Sequence, residues 1–275
     1  MRPSDLLAKA LAQDDGQGKL VFLTGAGISA ESGLPTFRGP EGCWQVGSRN
    51  YHPMELATKE AFDRKPTTVW GWYLHRRWVY ERAKPNPGHR ALAGAERRLQ
   101  DRFHLVTQNI DGLHLRAGNT PERTFQIHGN IANCRCADAC PEGARPFPLP
   151  LEQLGAWPKG RALGPDEERR LRCRCGGWLR PHVLWFDEYY DEALFRFEST
   201  LSLVDQAVAL VVIGTSGSTN LPTQMCHTAA RRRIPFVVID LESTAFAELA
   251  LSHSQGRFLV GPASTLLPQL TDGLG

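Results

Sequence analysis

Residues 19–33 read KLVFLTGAGISAESG, an apolar run from Lys19 to Thr24 that stops at Gly25 and gives way to a loop with glycines at 25, 27 and 33. A short apolar run bounded by glycine is the pattern of a buried strand. Glycines directly behind such a strand let the backbone approach a pyrophosphate. A helix starting there would add its N–H groups and the positive end of its dipole. The G-x-G-x-x-G spacing is incomplete, so this stretch alone leaves two readings open, a nucleotide loop or a tight turn. No strand ending in an acid follows about 20 residues later, where an ordinary dinucleotide site has one.

Four more apolar runs lie downstream: Phe103 to Thr107, Ala209 to Ile213, Pro235 to Ile239 and Arg257 to Val260. Helical patterns separate them, over 3–13, 88–100, 191–208, 222–233 and 265–270. Strands alternating with helices predict an α/β fold with a largely parallel sheet covered on both faces. Two stretches break the alternation and read as insertions. Residues 39–87 carry Trp44, Trp70, Trp72 and Trp78, with helical spacing from Thr67 to Arg82; residues 133–177 are rich in Cys, Pro, Gly and Arg. The third run ends in Gly214-Thr215-Ser216, a second glycine and hydroxyl loop, and the fourth ends at Asp240. That carboxylate could hold a ribose diol or simply cap a turn. Two glycine loops on one sheet favour a nucleotide crevice.

Composition narrows the classes. The 275 residues are 41% hydrophobic and 22% charged, with 32 Lys+Arg against 29 Asp+Glu for a net charge of +3. That balance does not favour a general nucleic-acid binder, and no apolar run reaches the ~20 residues a membrane span needs. The first residues lack a signal core, so a cytoplasmic protein is expected. Of seven cysteines, Cys43 and Cys226 stand alone, while Cys134, Cys136, Cys140, Cys173 and Cys175 cluster. In an intracellular chain, such clustering points to metal before disulfides.

Gln108, Asn109 and Asp111 follow the second strand directly, where an open α/β sheet places its ligands; they can bind an amide and a ribose, or form an Asx turn. His128 should project from the end of a strand over 124–127. Imidazole suits general-base work near neutral pH, although a lone histidine is as well read as a structural hydrogen-bonder.

The longer string GAGISAESGLPTFRG, Gly25 to Gly39, resembles the signature of the sirtuins. The resemblance continues in order at 107–114 (TQNIDGLH), 127–130 (IHGN), 180–186 (RPHVLWF), 214–216 (GTS) and 239–242 (IDLE). It implies a Rossmann-like domain built from 1–38, 88–132 and 179–275, a helical insertion at 39–87 and a zinc-binding module at 133–178. It also implies NAD-dependent removal of acyl groups from protein lysines, giving nicotinamide and O-acyl-ADP-ribose. By the same resemblance His128 is the base, with Asn109 and Asp111 at the nicotinamide end. Gly25, Ala26, Gly27, Phe37, Arg38, Gln108, Gly214, Thr215, Ser216 and Asp240 then belong to the NAD site, with Ile28 nearby. Val183 and Phe186 would lie by the acyl-lysine. Partners would be acyl-lysine proteins or peptides, with neither nucleic acid nor membrane, and a monomer is expected.

Tyr73 and Arg76, three apart, share a helix face. Guanidinium and phenol together suit a carboxylate, and the Tyr-x-x-Arg pattern resembles the class III sirtuins, which implies succinyl- or malonyl-lysine as possible substrates. One departure is Asp187, where the family has glycine. It could repel an acidic acyl chain, alter peptide docking, or face solvent. The family's structural zinc implies four ligands here, Cys136, Cys140, Cys173 and Cys175, leaving Cys134 out. The Cys173-x-Cys175 spacer is unusually short for one tetrahedral ion. Two rival readings keep the NAD site: an ADP-ribosyltransferase or NAD glycohydrolase, and a non-catalytic sensor.

Overall fold

The computed structural model describes residues 2–35, 44–46, 49–51, 53–150 and 155–274. Phe37, Arg38 and Cys43 lie outside the described residues. The strands in chain order are β1 (Lys19–Thr24), β2 (Trp44–Val46), β3 (Arg49–Tyr51), β4 (Phe103–Thr107), β5 (Thr124–Gln126), β6 (Gly129–Cys136), β7 (Phe147–Pro148), β8 (Leu179–Val183), β9 (Ala207–Ile213), β10 (Phe236–Asp240) and β11 (Gly256–Val260). The helices are α1 (Pro3–Gln13), α2 (Gly27–Ala30), α3 (Pro53–Leu56), α4 (Lys59–Arg64), α5 (Pro66–Arg82), α6 (Pro87–Leu99), α7 (Leu113–Ala117), α8 (Pro165–Arg170), α9 (Glu192–Phe195), α10 (Phe197–Asp205), α11 (Asn220–Arg232), α12 (Ala245–Leu251) and α13 (Ala263–Thr271).

Six strands form one parallel sheet in the order β11-β10-β9-β1-β4-β5. From β1 the chain steps outward through β4 to β5, then returns to the other side of β1 and steps outward through β9, β10 and β11. The direction reverses between β1 and β9. In open α/β sheets that is where loops at the carboxyl ends of the strands part and leave a crevice for a ligand. The quoted run decides the arrangement because it is apolar on both sides. Leu20 and Phe22 join a core with α1, α6 and α13, while Val21 and Leu23 join a second core with α10, α11 and α12. A strand buried on both faces needs no polar alternation.

Strand and helix ends differ from the sequence expectation by one or two residues in most places. One helix differs in kind. The pattern over 191–208 is not a single helix but α9 and α10, split at Arg196, which takes a left-handed φ of 54°. Asp191 caps α9 by accepting from Leu194 N at 2.7 Å. The apolar spacing ran on through the break because Phe195, Leu203 and Val204 are all buried. By Ala207 the chain is already in β9.

The two expected insertions meet. A three-stranded antiparallel sheet, β7-β6-β8, packs with α4 and α5 around a third core that includes Phe62, Trp70, Tyr73, Trp157 and Trp185. Trp70 Nε1 donates to the Leu179 carbonyl at 2.7 Å, pinning α5 to β8. Stretches far apart in sequence thus share one apolar interior. Among the described residues no helix is long and apolar enough to cross a membrane.

Candidate active site

The glycines of the opening loop are explained first by one another. Gly25 N donates to Ile213 O and Gly27 N to Gly214 O, both at 2.9 Å. A Cβ on Gly27 would lie 2.5 Å from the Gly214 Cα, and one on Gly214 would lie 2.6 Å from the Gly27 Cα. Neither position admits a side chain, and Gly214 also has φ +58°. The loops after β1 and β9 therefore touch backbone to backbone at the point of strand reversal. The helix that follows, α2, is a single turn, so its dipole is smaller than the sequence suggested.

Polar side chains from β1, β4 and their loops interlock beside this contact. Asn109 Nδ2 donates to Gly25 O at 2.9 Å and to Ser29 Oγ at 3.2 Å. Ser29 in turn donates to Asp111 Oδ2 at 2.7 Å, while Leu113 N donates to Asp111 Oδ1 at 2.8 Å. Burial pushes the Asp111 carboxyl above its usual range, although those two bonds and the charge of Arg116 act against it. Thr24 donates to Thr107 at 2.9 Å, and His114 Nε2 lies 3.0 Å from the Thr24 hydroxyl. Behind it the His89 ring packs 4.8 Å from His114. Burial depresses the pKa of both, His89 to about 4, so they serve as neutral hydrogen-bonding groups. Ser29, Thr107 and this histidine pair were not picked out from the sequence. Ser29 stood inside the signature string, but nothing local distinguishes its hydroxyl from that of Ser32.

His128 sits where expected, between β5 and β6. Its Nδ1 lies 3.0 Å from the Gln108 carbonyl and its Nε2 2.8 Å from the Tyr190 hydroxyl. Burial lowers its pKa to about 4. Gly129 follows at φ +83°, and a Cβ there would fall 2.1 Å from the His182 carbonyl, so only glycine lets β6 cross β8 directly behind the imidazole. Gln108 links the loops: Nε2 donates to Thr215 Oγ1 at 2.8 Å, and Oε1 accepts from Thr219 at 2.9 Å. Ser216 Oγ lies 2.8 Å from Ser218 Oγ. Asp240 ends β10, accepting from the Leu241 amide at 2.8 Å. Gly25, Ala26, Gly27, Gln108, Asn109, Asp111, His128, Gly214, Thr215, Ser216 and Asp240 are thus gathered at the carboxyl ends of the sheet strands.

The segment after β8 is held by a buried ion pair. Arg180, 1% exposed, donates to both carboxylate oxygens of Glu188 and stacks over the Trp185 ring at 3.5 Å; Trp185 N donates to Glu188 Oε2 at 3.0 Å. Val183 is buried in the small core, whereas Phe186 is 56% exposed.

Asp187 has a structural task. Its carboxylate accepts from Lys59 N at 2.7 Å and Glu60 N at 3.1 Å, and Thr58 Oγ1 accepts from Ala61 N at 3.0 Å. Three of the amide groups left open at the start of α4 are thereby satisfied, one of them by an ordinary cap and two by a residue 127 or 128 positions away. Asp187→Ala is expected to destabilise the fold by about 1 kcal/mol, read as a lower urea midpoint with unchanged slope. An unchanged midpoint would remove that role.

Tyr73 is buried, accepting from Trp185 Nε1 at 2.9 Å. Arg76 donates to the Tyr80 hydroxyl at 3.0 Å, with its guanidinium 4.8 Å from the Trp72 ring. Its charge also reaches Tyr73 and Asp111, favouring the ionised form of each. Arg76 is thus held on α5 against Trp72 and Tyr80.

The Sγ atoms of Cys136, Cys140, Cys173 and Cys175 all lie within 4.8 Å of one another. Cys136 and Cys175 are 3.6 Å apart, and Cys140 and Cys173 are 3.5 Å apart. Four thiolates about 2.3 Å from one ion would stand about 3.8 Å apart, so the set fits tetrahedral zinc. The short Cys173-x-Cys175 spacer is accommodated by a turn at Gly176, φ +91°, with Cys173 N donating to Gly177 O at 2.8 Å. Gly143 closes the other half: a Cβ there would meet Cys136 Cβ at 2.8 Å and Cys173 Sγ at 3.0 Å. Cys134 is fully buried in the small core and is not one of the four.

Comparison with known proteins agrees with this geometry. The Sir2 family pattern matches residues 25–220. An NAD-dependent protein deacylase of Leptospira interrogans is 38% identical over 258 residues, covering 92% of this chain and 91% of the relative. The mitochondrial NAD-dependent protein deacylase sirtuin-5 of Canis lupus familiaris is 37% identical over 262 residues, covering 91% and 80%. The crystal structure of a Sir2 homolog–NAD complex superposes with a TM-score of 0.77 at 32% identity, covering 98% of this chain and 93% of that one. With a carboxyl-end crevice closed by paired glycines, one poised imidazole and four gathered thiols, the chain belongs to the Sir2 family.

Proposed function

We infer that this protein removes acyl groups from protein lysines at the expense of NAD. The observation that carries the reading is that His128 meets the Gln108 carbonyl, one residue before Asn109, while Ser29 joins Asn109 to Asp111, all at the carboxyl ends of the sheet where such folds bind nucleotides. NAD supplies a C1′–nicotinamide bond whose cleavage lets the acyl oxygen of the lysine amide bond to C1′. Asn109 and Asp111, crosslinked by Ser29, hold the nicotinamide amide and the adjoining ribose. Thr215, Ser216 and Asp240 meet the phosphates and adenosine ribose, with Gly25, Gly27 and Gly214 letting backbone close on the pyrophosphate. Phe37 and Arg38 belong to the same site by their place in the signature.

His128 takes the proton from a ribose hydroxyl at its unprotonated nitrogen, freeing that oxygen to attack the acyl carbon. Once that oxygen has bonded to the acyl carbon, the lysine nitrogen leaves as the free amine and one water adds in its place, so the products are nicotinamide, free lysine and O-acyl-ADP-ribose. Burial keeps the imidazole neutral and ready to accept at neutral pH. Cys136, Cys140, Cys173 and Cys175 hold a structural zinc, whose four sulfurs leave no open position for catalysis. Its thiolate ligands suit a reducing compartment, in keeping with a cytoplasmic enzyme working as a monomer on acyl-lysine proteins or peptides.

Arg76 and Tyr73 extend the reading to acidic acyl chains. Arg76 can offer a fork of donors to a carboxylate from its place on α5 beside Trp72 and Tyr80; Val183 and Phe186 border the lysine path. Mass spectrometry of acetyl-, succinyl- and malonyl-peptides with NAD tests both levels. The expected result is nicotinamide release matched one-to-one by deacylated peptide. Nicotinamide release with no change in the peptide would replace this reading with an NAD glycohydrolase or ADP-ribosyltransferase. Arg76→Met is expected to lower kcat/KM for succinyl-peptide by about 10²-fold, the worth of a charged hydrogen-bonding pair, with much less effect on acetyl-peptide. Equal losses would count against a carboxylate clamp.

A further inference from the structure

Adjacent tyrosines follow the Arg180–Glu188 loop and have opposite fates: Tyr189 is 92% exposed, while Tyr190 turns inward. Tyr190 lies between two fixed points. Glu188 is locked by Arg180, and Asp191 caps α9. Its ring stacks on Phe197 at 6.1 Å and 22°, and on His128 at 5.9 Å and 30°. Its hydroxyl lies 2.8 Å from His128 Nε2. Thr219 donates to Gln108 Oε1, and the Gln108 carbonyl faces His128 Nδ1. The imidazole ring is thus held between the Tyr190 hydroxyl and the Gln108 carbonyl, with Thr219 bonded to the Gln108 side chain.

Donor and acceptor roles in that ring follow from chemistry. A carbonyl can only accept, so Nδ1 carries the proton toward Gln108. In the neutral imidazole, Nε2 then holds the lone pair, and the Tyr190 O–H is the donor. The nitrogen that would receive a proton in catalysis is therefore occupied by a phenol of this same chain.

We propose that Tyr190 is a positioning residue for His128: its hydroxyl donates to the Nε2 lone pair, fixes the ring, stabilises the neutral base, and yields that nitrogen when a ribose hydroxyl arrives. The assignment rests on the deacylase reading for its role in turnover, but the contact itself does not. Exchange of partners conserves hydrogen bonds at Nε2: the phenol donates before the ribose binds, and the ribose hydroxyl donates afterwards. The Tyr190 hydroxyl then turns to the neighbouring Thr219. Among the described residues, Tyr190 is the titratable group facing the imidazole. Gln108 and Thr219 are neutral, and no charged side chain joins burial and the Gln108 carbonyl in setting its protonation.

Tyr190→Phe deletes the donor and keeps the ring against Phe197. A lone pair that loses its donor is more easily protonated, so the His128 titration midpoint, read by NMR in the ligand-free protein, should rise by about half to one pH unit. In kcat/KM for NAD, the variant's deficit should widen steadily as pH falls from 7 to 5. A midpoint that stays or falls, with a deficit equal at all pH values, would mean that Tyr190 only packs, and would overturn the proposal. If the wild-type protein gave no deacylation at all, the deacylase reading would fail instead. The NMR titration would still decide the Tyr190 contact by itself.

Discussion

His128→Ala should lower deacylation by about 10²–10⁴-fold, the span over which positioned acid–base groups contribute, while the protein stays folded. The imidazole makes its polar contacts with a carbonyl and a phenol at the edge of the crevice. Its loss therefore removes a proton acceptor rather than a keystone of the core. Gly129, which shapes the backbone there, is untouched. Binding of NAD should persist, because the Asn109–Ser29–Asp111 set and the paired glycine loops do not depend on the ring.

The pH profile has a definite sign. The base must be neutral, and burial holds its pKa near about 4 rather than 6.5. The rate should accordingly be flat through neutral pH and fall only on the acid side, as His128 protonates. Peptide mass spectrometry from about pH 3 to 8 checks both points. Retention of a tenth or more of wild-type turnover in the alanine variant would exclude His128 as the base.

Removal of the metal should have the second large effect. One zinc per chain is expected by elemental analysis. Zinc sites built from four ligands contribute on the order of 10 kcal/mol to the units they hold together, as much as the whole stability of an ordinary domain. Four bare sulfurs within 4.8 Å cannot all ionise without a cation between them. Chelation, or Cys140→Ser, is therefore expected to unfold the segment carrying Gly143 and Gly176. Trp157 and Cys173 belong to the same small core, so tryptophan emission should report the loss. Deacylation should follow it down indirectly, because β6 and β8 join the thiol site to His128 and Val183. Cys134→Ser should retain the zinc. Active protein without stoichiometric zinc would defeat the assignment.

Much of this was legible in the chain itself. Lys19–Thr24 is apolar at every position facing a core, so it can only be a strand covered on both faces. The alternation of such runs with helices leaves few folds besides the one found. The ordered blocks from Gly25 to Glu242 carried the family, and with it most of the site, because backbone close approach demands glycine and general-base work favours histidine. The cysteine cluster announced a metal for a similar reason, since few other uses suit five gathered thiols.

Other parts depended on contacts between positions that sequence spacing does not relate. Asp187 left three readings open in the sequence, repulsion of an acidic acyl chain, altered peptide docking or a solvent-facing carboxylate, yet its oxygens cap α4, 128 residues earlier in the chain. Ser29 looked like any loop serine until folding set it between Asn109 and Asp111. The helix over 191–208 broke at Arg196 although its apolar spacing did not. The sequence alone determined the sheet and the family and pointed to the gathered thiols, because periodicity, glycine loops and cysteine spacing are local properties. Only the tertiary structure decided that Tyr190 rather than Tyr189 meets His128, that Cys134 is buried in the small core while the other four thiols converge, and that Gly27 faces Gly214. Those outcomes turn on which distant loops are brought within hydrogen-bond or van der Waals reach.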